Sequence, residues 1–203
     1  MRLPPAIRVI PRGRVTGYSI SVMEAHNSDN GATGEAAGQA RTTPSKSRRL
    51  LYLALIMAAI AAVDQLVKQL MLSWLEPGVP VAVIGDWFRF YLLFNPGAAF
   101  SMGSDSTWLF TTIQLVFVVG SLIAAPRLEN KWELTGLALI AGGALGNLID
   151  RLFREPGFWF GHVVDYISVG NFAVFNIADA SITIGVVVFV LALFFGGGQR
   201  DER

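Results

Sequence analysis

The chain has 203 residues and a mean hydropathy of +0.50, with 53% hydrophobic and only 15% charged residues. A soluble domain is roughly 25% charged, so the composition argues against an ordinary water-soluble globule, and the net charge of +1 gives no basis for nucleic-acid binding. The absence of cysteine excludes disulfides, thiolate metal sites and cysteine nucleophiles.

Residues 1–48 mix Pro, Gly and Arg with a Ser/Thr/Gly/Ala/Asn-rich stretch that ends in Arg41, Lys46 and Arg48. No apolar core precedes a cleavage site, as a secretory signal would require. This segment cannot bury enough apolar surface to order itself, and it is expected to be a disordered cytoplasmic tail. Residues 49–196 then read as a four-span membrane domain, and residues 197–203 as a cytoplasmic C-terminal tail. The expected fold is an all-α membrane protein with four transmembrane helices, a small extracytoplasmic β-hairpin or sheet, and an interfacial segment.

The first span is Leu50–Leu75, interrupted by Asp64, Gln65, Lys68 and Gln69. Val79–Phe94 follows, with strand-forming composition and a turn signal at Gly85-Asp86. Its aromatics suit the headgroup level. Trp108–Ala125 is the second span, and Gly/Ala-rich Leu134–Ile149 is the third, a composition that permits close helix approach. Phe153–Phe175 is aromatic-rich and is expected to lie in the interface. Ile177–Phe195 is the fourth span, with Asp179 near its start. Arg41–Arg49, Arg127, Lys131, Arg200 and Arg203 fall on one side of such a bundle, whereas the first outer loop has only Arg89; Arg151 and Arg154 are the exceptions. The positive-inside tendency places both termini in the cytoplasm.

At about 1.5 Å per residue, Asp64 lies about 21 Å from Leu50, and Asn147 about 20 Å from Leu134. Asp179 enters from the outer end of the fourth span. Three helices thus bring polar groups to one level in the outer leaflet. Ionisable residues in a membrane are costly and usually face a partner or a water-filled cavity, so a shared site is expected. Asp64 and Lys68 form an i,i+4 pair. Asn147-Leu148-Ile149-Asp150 and Asn176-Ile177-Ala178-Asp179 share the spacing Asn-x-x-Asp, with Asn176 also a natural helix N-cap. Asp150, beside Arg151, is expected to be held ionised by it in a structural role.

The chemistry narrows by elimination. The chain has two histidines, His26 and His162, and no His-Glu-x-x-His zinc motif. No Gly-x-Ser-x-Gly elbow accompanies His162, which reads as a loop or interface residue. A Ser–Lys dyad of Ser101 and Lys68 stays open, although pairing with Asp64 is the simpler role for Lys68. Asp165 and Asp179 are the best candidates for a catalytic carboxylate pair. Two close carboxylates in a low-dielectric site share a proton, so one serves as base on a water while the other polarises a carbonyl. No metal or other cofactor is expected.

Five motifs, taken in order, resemble the lipoprotein signal peptidase (signal peptidase II) family. They are Asp64-x-x-x-Lys68, Asn95-Pro96-Gly97-Ala98-Ala99-Phe100, Gly142 through Arg151, Val163-Val164-Asp165-Tyr166, and Phe175 through Asp179. The resemblance spans about Arg49–Phe195. It implies a four-span aspartyl endopeptidase of the bacterial plasma membrane that cuts prolipoproteins just before a diacylglyceryl-modified cysteine. It further implies Asp165 and Asp179 as the catalytic pair. Asn95, Gly97, Asn147, Arg151 and Asn176 become substrate-binding or supporting residues, alongside Asp64 and Lys68. Tyr166 stands where many relatives carry Phe. The expected partners are lipid-modified prolipoproteins and membrane lipids, with no required protein partner. A site between the first, third and fourth spans is expected to admit the signal helix laterally, with the outer hairpin above it and Phe158–Phe160 as a lid. A proton-coupled carrier and a non-catalytic membrane interaction protein are the alternatives from other classes. A carrier would normally show internal repeats and a midplane site.

Overall fold

The computed structural model describes residues 45–97 and 106–196. Of the expected disordered tail at 1–48, residues 1–44 lie outside the described residues, as do the C-terminal residues 197–203 and Ser101, whereas residues 46–48 are helical.

Four helices are long and apolar enough to cross a membrane. They are α1 (Lys46–Trp74), α2 (Thr107–Ala124), α3 (Lys131–Phe153) and α4 (Ile177–Gly196). A short 3₁₀ turn, Ala125–Arg127, links α2 to α3. Helix α1 begins at Lys46, ahead of the expected Leu50, because Ser45 caps it by accepting from the Arg48 N–H. Helix α3 runs past both expected ends. Asn130 caps its start, and the charged residues at its far end stay helical because other elements supply their partners.

Helix α3 is the central element. In its most apolar stretch 61% of residues are buried, against 22% in each of the other three helices. Glycine makes this possible on two faces. A Cβ on Gly142 or Gly146 would collide with Ile60 or Asp64 of α1, and one on Gly136 or Gly143 would collide with the α4 backbone at Phe189 or Ala178. Small residues that let backbones touch are how membrane helices gain packing energy without a hydrophobic drive. Leu53, Met57, Val118, Leu134, Ala138, Ala141 and Leu148 form the core cluster around this helix. Leu51, Leu55, Leu66, Leu70 and Trp74 leave the outer face of α1 exposed and apolar. Such a surface suits lipid rather than water.

The segments between the helices form a three-stranded antiparallel sheet, ordered β1 (Val81–Ile84), β2 (Phe88–Asn95), β3 (Val163–Val169). Val163–Val169 was expected as part of an interfacial segment. It is instead the buried third strand, and its β-branched run Val-Val-Asp-Tyr-Ile-Ser-Val fits that role. Register pairs Leu93 with Asp165 and Asn95 with Val163. Ile167 also bridges Phe175, which folds the chain back toward the start of α4. At the opposite end of the bundle, Arg49 Nη1 donates to the Pro126 carbonyl (3.2 Å), tying the basic start of α1 to the α2–α3 turn.

Candidate active site

Asp165 projects from β3 and is almost fully buried. Its Oδ2 accepts from Asn95 Nδ2 (2.9 Å) on β2, and its Oδ1 from Asn176 Nδ2 (2.7 Å). Asn95 is itself aimed by its Oδ1, which accepts from the Gly97 N–H (2.8 Å). Gly97 has φ +116°, a conformation other residues rarely adopt, and a Cβ there would overlap the Phe110 ring.

Asp179 stands in the first turn of α4, where the positive end of the helix dipole favours negative charge. Asn176 Oδ1 accepts from the Asp179 N–H (2.9 Å), while Asp179 Oδ2 accepts from the Asn176 N–H (3.1 Å). This is a reciprocal capping box with Asp in the usual Glu place. The other oxygen, Oδ1, accepts from Asn147 Nδ2 (2.8 Å). Asn176 therefore touches both carboxylates, one through its side chain and one through its backbone.

Both acids line a cavity of about 570 Å³, with Asn95, Gly97, Asn147, Arg151, Phe110 and Gln114 in its wall and Phe172–Phe175 along one side. Burial, reinforced by the nearby charge of Asp179, pushes the Asp165 carboxyl up to about 7, against the hydrogen bonds from Asn95 and Asn176 and the more distant Lys68 charge. An acid that keeps its proton near neutral pH can polarise a carbonyl.

Behind this pair lies a buried ionic cluster. Lys68 Nζ is 2.8 Å from Asp64 Oδ2, 2.8 Å from Asp150 Oδ2 and 2.8 Å from Asn147 Oδ1. An ammonium has three N–H groups, and these contacts use all of them. Lys68 is fully buried and has no donor left for a serine, which removes the basis for the Ser–Lys dyad. Asp64 Oδ1 accepts from the Ala178 N–H (3.0 Å) and so holds the first turn of α4 against α1.

Asp150 is structural as expected, but its cations are Lys68 and Arg154 rather than Arg151. Adjacent residues diverge around a helix, whereas positions four apart share a face. The i,i+4 pair Asp150/Arg154 was the readable signal. Asp150 also accepts from Gln65 Nε2 (3.0 Å) and the Val164 N–H (3.1 Å), joining α1, α3 and β3. Gln65, whose Oε1 accepts from Arg154, carried no sequence signal beyond being polar in a span. Arg151 turns instead to the cavity. It is buried, its guanidinium carbon lies 5.6 Å from the centre of the Phe110 ring, and Nε and Nη1 have no hydrogen-bond partner among the described residues.

Two further expectations change. No α1 residue lines the cavity; Phe110 and Gln114 of α2 do, so its helical wall is α2, α3 and α4. The residues along its rim are Phe172–Phe175, not Phe158–Phe160, although the carbonyl of Trp159 does accept from Thr111 Oγ1 (2.9 Å) on α2. His162 lies away from the acids, beside a second cavity with Phe94 and Phe153, as a loop histidine.

A family model described as Signal peptidase (SPase) II matches residues 56–195. A lipoprotein signal peptidase of Rhodococcus jostii is 43% identical over 80% of this chain and 82% of its own length. One from Mycobacterium avium is 44% identical over 81% of this chain and 88% of its own. A solved bacterial membrane enzyme superposes with a TM-score of 0.64 at 28% identity, covering 75% of this chain and 93% of that one.

Proposed function

This chain belongs to the signal peptidase II family, and we propose that Asp165 and Asp179 carry out its peptidase reaction at the outer leaflet of the bacterial plasma membrane. The family assignment makes it a multi-pass membrane peptidase that removes signal peptides from prolipoproteins. It sets aside the carrier and the non-catalytic interaction protein. The proposed scissile bond is the one preceding a diacylglyceryl-modified cysteine.

One observation carries the catalytic reading. Two carboxylates from different elements face one cavity, joined through Asn176, while Asp64 and Asp150 are neutralised by cations. In the proposed cycle Asp165 starts protonated and Asp179 ionised. Asp179 takes a proton from a water as its oxygen attacks the scissile carbonyl, and Asp165 donates its proton to the carbonyl oxygen. The tetrahedral intermediate then collapses. The C–N bond breaks, the proton on Asp179 passes to the departing cysteine nitrogen, and the hydroxyl proton returns to Asp165. Arg151, whose Nε and Nη1 have no partner among the described residues, is assigned to a substrate carbonyl. A buried donor without a partner is costly, and substrate binding relieves that cost.

The cavity's wall of α2, α3 and α4 residues supports lateral admission of the signal helix from lipid. The gathering of Lys46, Arg48, Arg49 and Arg127 at the opposite end of the bundle supports a cytoplasmic N-terminus. The test is cleavage of a diacylglyceryl-modified precursor by purified enzyme in detergent. Asp165→Asn and Asp179→Asn should each abolish it while leaving insertion and melting temperature near wild type. Retention of more than about a tenth of turnover by either variant would overturn the dyad; general acid–base groups typically contribute about 10²–10⁴-fold.

A further inference from the structure

Asn147 has a side chain that can sit two ways. Its oxygen and nitrogen occupy nearly the same space on rotation by half a turn, so only its neighbours decide which faces the acid. In one orientation Nδ2 donates to Asp179. In the other an oxygen would face a carboxylate, and an NH₂ would face the ammonium of Lys68. Lys68 Nζ reaches Asn147 Oδ1 at 2.8 Å, and Asn176 Nδ2 reaches the same oxygen at 3.0 Å.

We infer that Lys68 is a positioning residue for the reaction: its third N–H, the one not spent on Asp64 and Asp150, locks the Asn147 amide so that its nitrogen donates to Asp179 and its oxygen anchors the Asn176 amide that donates to Asp165. This inference rests on the proposed catalytic roles of Asp165 and Asp179.

The arrangement assigns each part of Lys68 a task. Its charge balances the cluster of Asp64, Asp150 and Arg154, which with Lys68 holds two negative and two positive groups. An ammonium cannot accept a hydrogen bond, so Asn147 must present its oxygen to it. Asn176 Nδ2 is then drawn to that oxygen and to Asp165 Oδ1 (2.7 Å), while the Asp179 N–H fixes Asn176 Oδ1. One lysine on α1, remote from the cavity, thereby orients the donors on two carboxylates held by β3 and α4. Because Lys68 does not line the cavity, its removal acts on the chemical step and not on substrate binding.

The test is a double-mutant cycle in an Asp64→Asn background, which keeps the cluster neutral when Lys68 is replaced and so preserves folding. Lys68→Met is combined with Asn147→Ala, and cleavage of a diacylglyceryl-modified precursor is followed. Lys68→Met should lower kcat roughly 10- to 100-fold, the scale of misplacing a catalytic group by about 1 Å, with KM unchanged. With Asn147→Ala already present, adding Lys68→Met should cost less than about twofold, because residues acting through one contact are not additive. Equal losses in both backgrounds, or a rise in KM with kcat unchanged, would overturn the positioning role. Asp165→Asn and Asp179→Asn are measured alongside. Activity in either of those would overturn the dyad, whereas an additive cycle with both of them inactive overturns only the role of Lys68.

Discussion

Asn147-x-x-Asp150 and Asn176-x-x-Asp179 share a spacing, and the fold gives them opposite arrangements. The first lies well inside α3, where both backbone N–H groups are spent on the helix. Its asparagine reaches forward to Asp179, and its aspartate reaches back to Lys68 and Arg154. The second straddles the start of α4, so its asparagine and aspartate cap each other's backbone, and Asp179 lines the cavity. Asp150 meets two cations and a backbone N–H. Asp179 meets neutral donors and shares a cavity wall with another acid. The difference between scaffold and chemistry is set by position along the helix and by the charge of the neighbours, not by spacing.

The sharpest way to break this comparison is to neutralise each acid in turn. Asp179→Asn should reduce turnover by about 10³-fold or more with an unchanged melting temperature. Asp150→Asn should do the reverse, destabilising the protein by about 3–5 kcal/mol because Lys68 and Arg154 lose a shared buried partner. Thermal unfolding and precursor cleavage measured on both variants decide it. If Asp150→Asn were stable and inactive, the division of labour would be wrong.

A second expectation probes the charge balance behind the site. Lys68→Met alone strands Asp64 beside Asp150 and should also cost about 3–5 kcal/mol. Lys68→Met with Asp64→Asn leaves Asp150 paired with Arg154 and should recover most of that loss. Equal melting temperatures for the single and double variants would show that the cluster is not organised by charge.

A smaller effect concerns pH. Asp165 holds its proton up to about 7 in the fold, against 3.8 as the ordinary value. Between these values the folded protein binds a proton that the unfolded chain releases, so stability falls as pH rises from about 4 to 7 and levels off above. Asp165→Asn should flatten that slope in melting temperature, and a slope unchanged in the variant would assign it elsewhere. In the proposed cycle the singly protonated pair is also the active form, so kcat/KM should decline as pH rises through about 7. The smallest effect is expected from the N-terminal tail. A chain beginning at Ser45 retains the cap of α1 and every residue of the site, and should cleave the precursor within about twofold of the full chain.

Much of this was legible before any coordinates. Long, mostly apolar runs set the four spans within a few residues, because few other structures satisfy the backbone in lipid. The agreement in depth of Asp64, Asn147 and Asp179 anticipated one buried network, and Lys68 and Asn147 now link them. What was not legible depended on tertiary pairing. The strand carrying Asp165 is marked by β-branched residues, but nothing local says that it pairs with Phe88–Asn95. Arg151 and Arg154 both follow Asp150, and only the helical turn tells which one returns to it. The place of α2 in the cavity wall had no polar signature except Gln114.

The carbonyl of Ala178 rests directly on Gly143, at the turn of α4 that carries Asp179. The Ile182 side chain lies beside that contact, but the nearest atom is the backbone oxygen, so rotamer changes alone cannot make room for a Cβ. Gly143→Ala would force α4 outward while touching neither acid nor substrate. The reach from Asn147 to Asp179, 2.8 Å, would lengthen with it. The reaction would then slow because of a methyl group on the far side of the backbone, which makes this glycine the gauge that sets the working distance of the site.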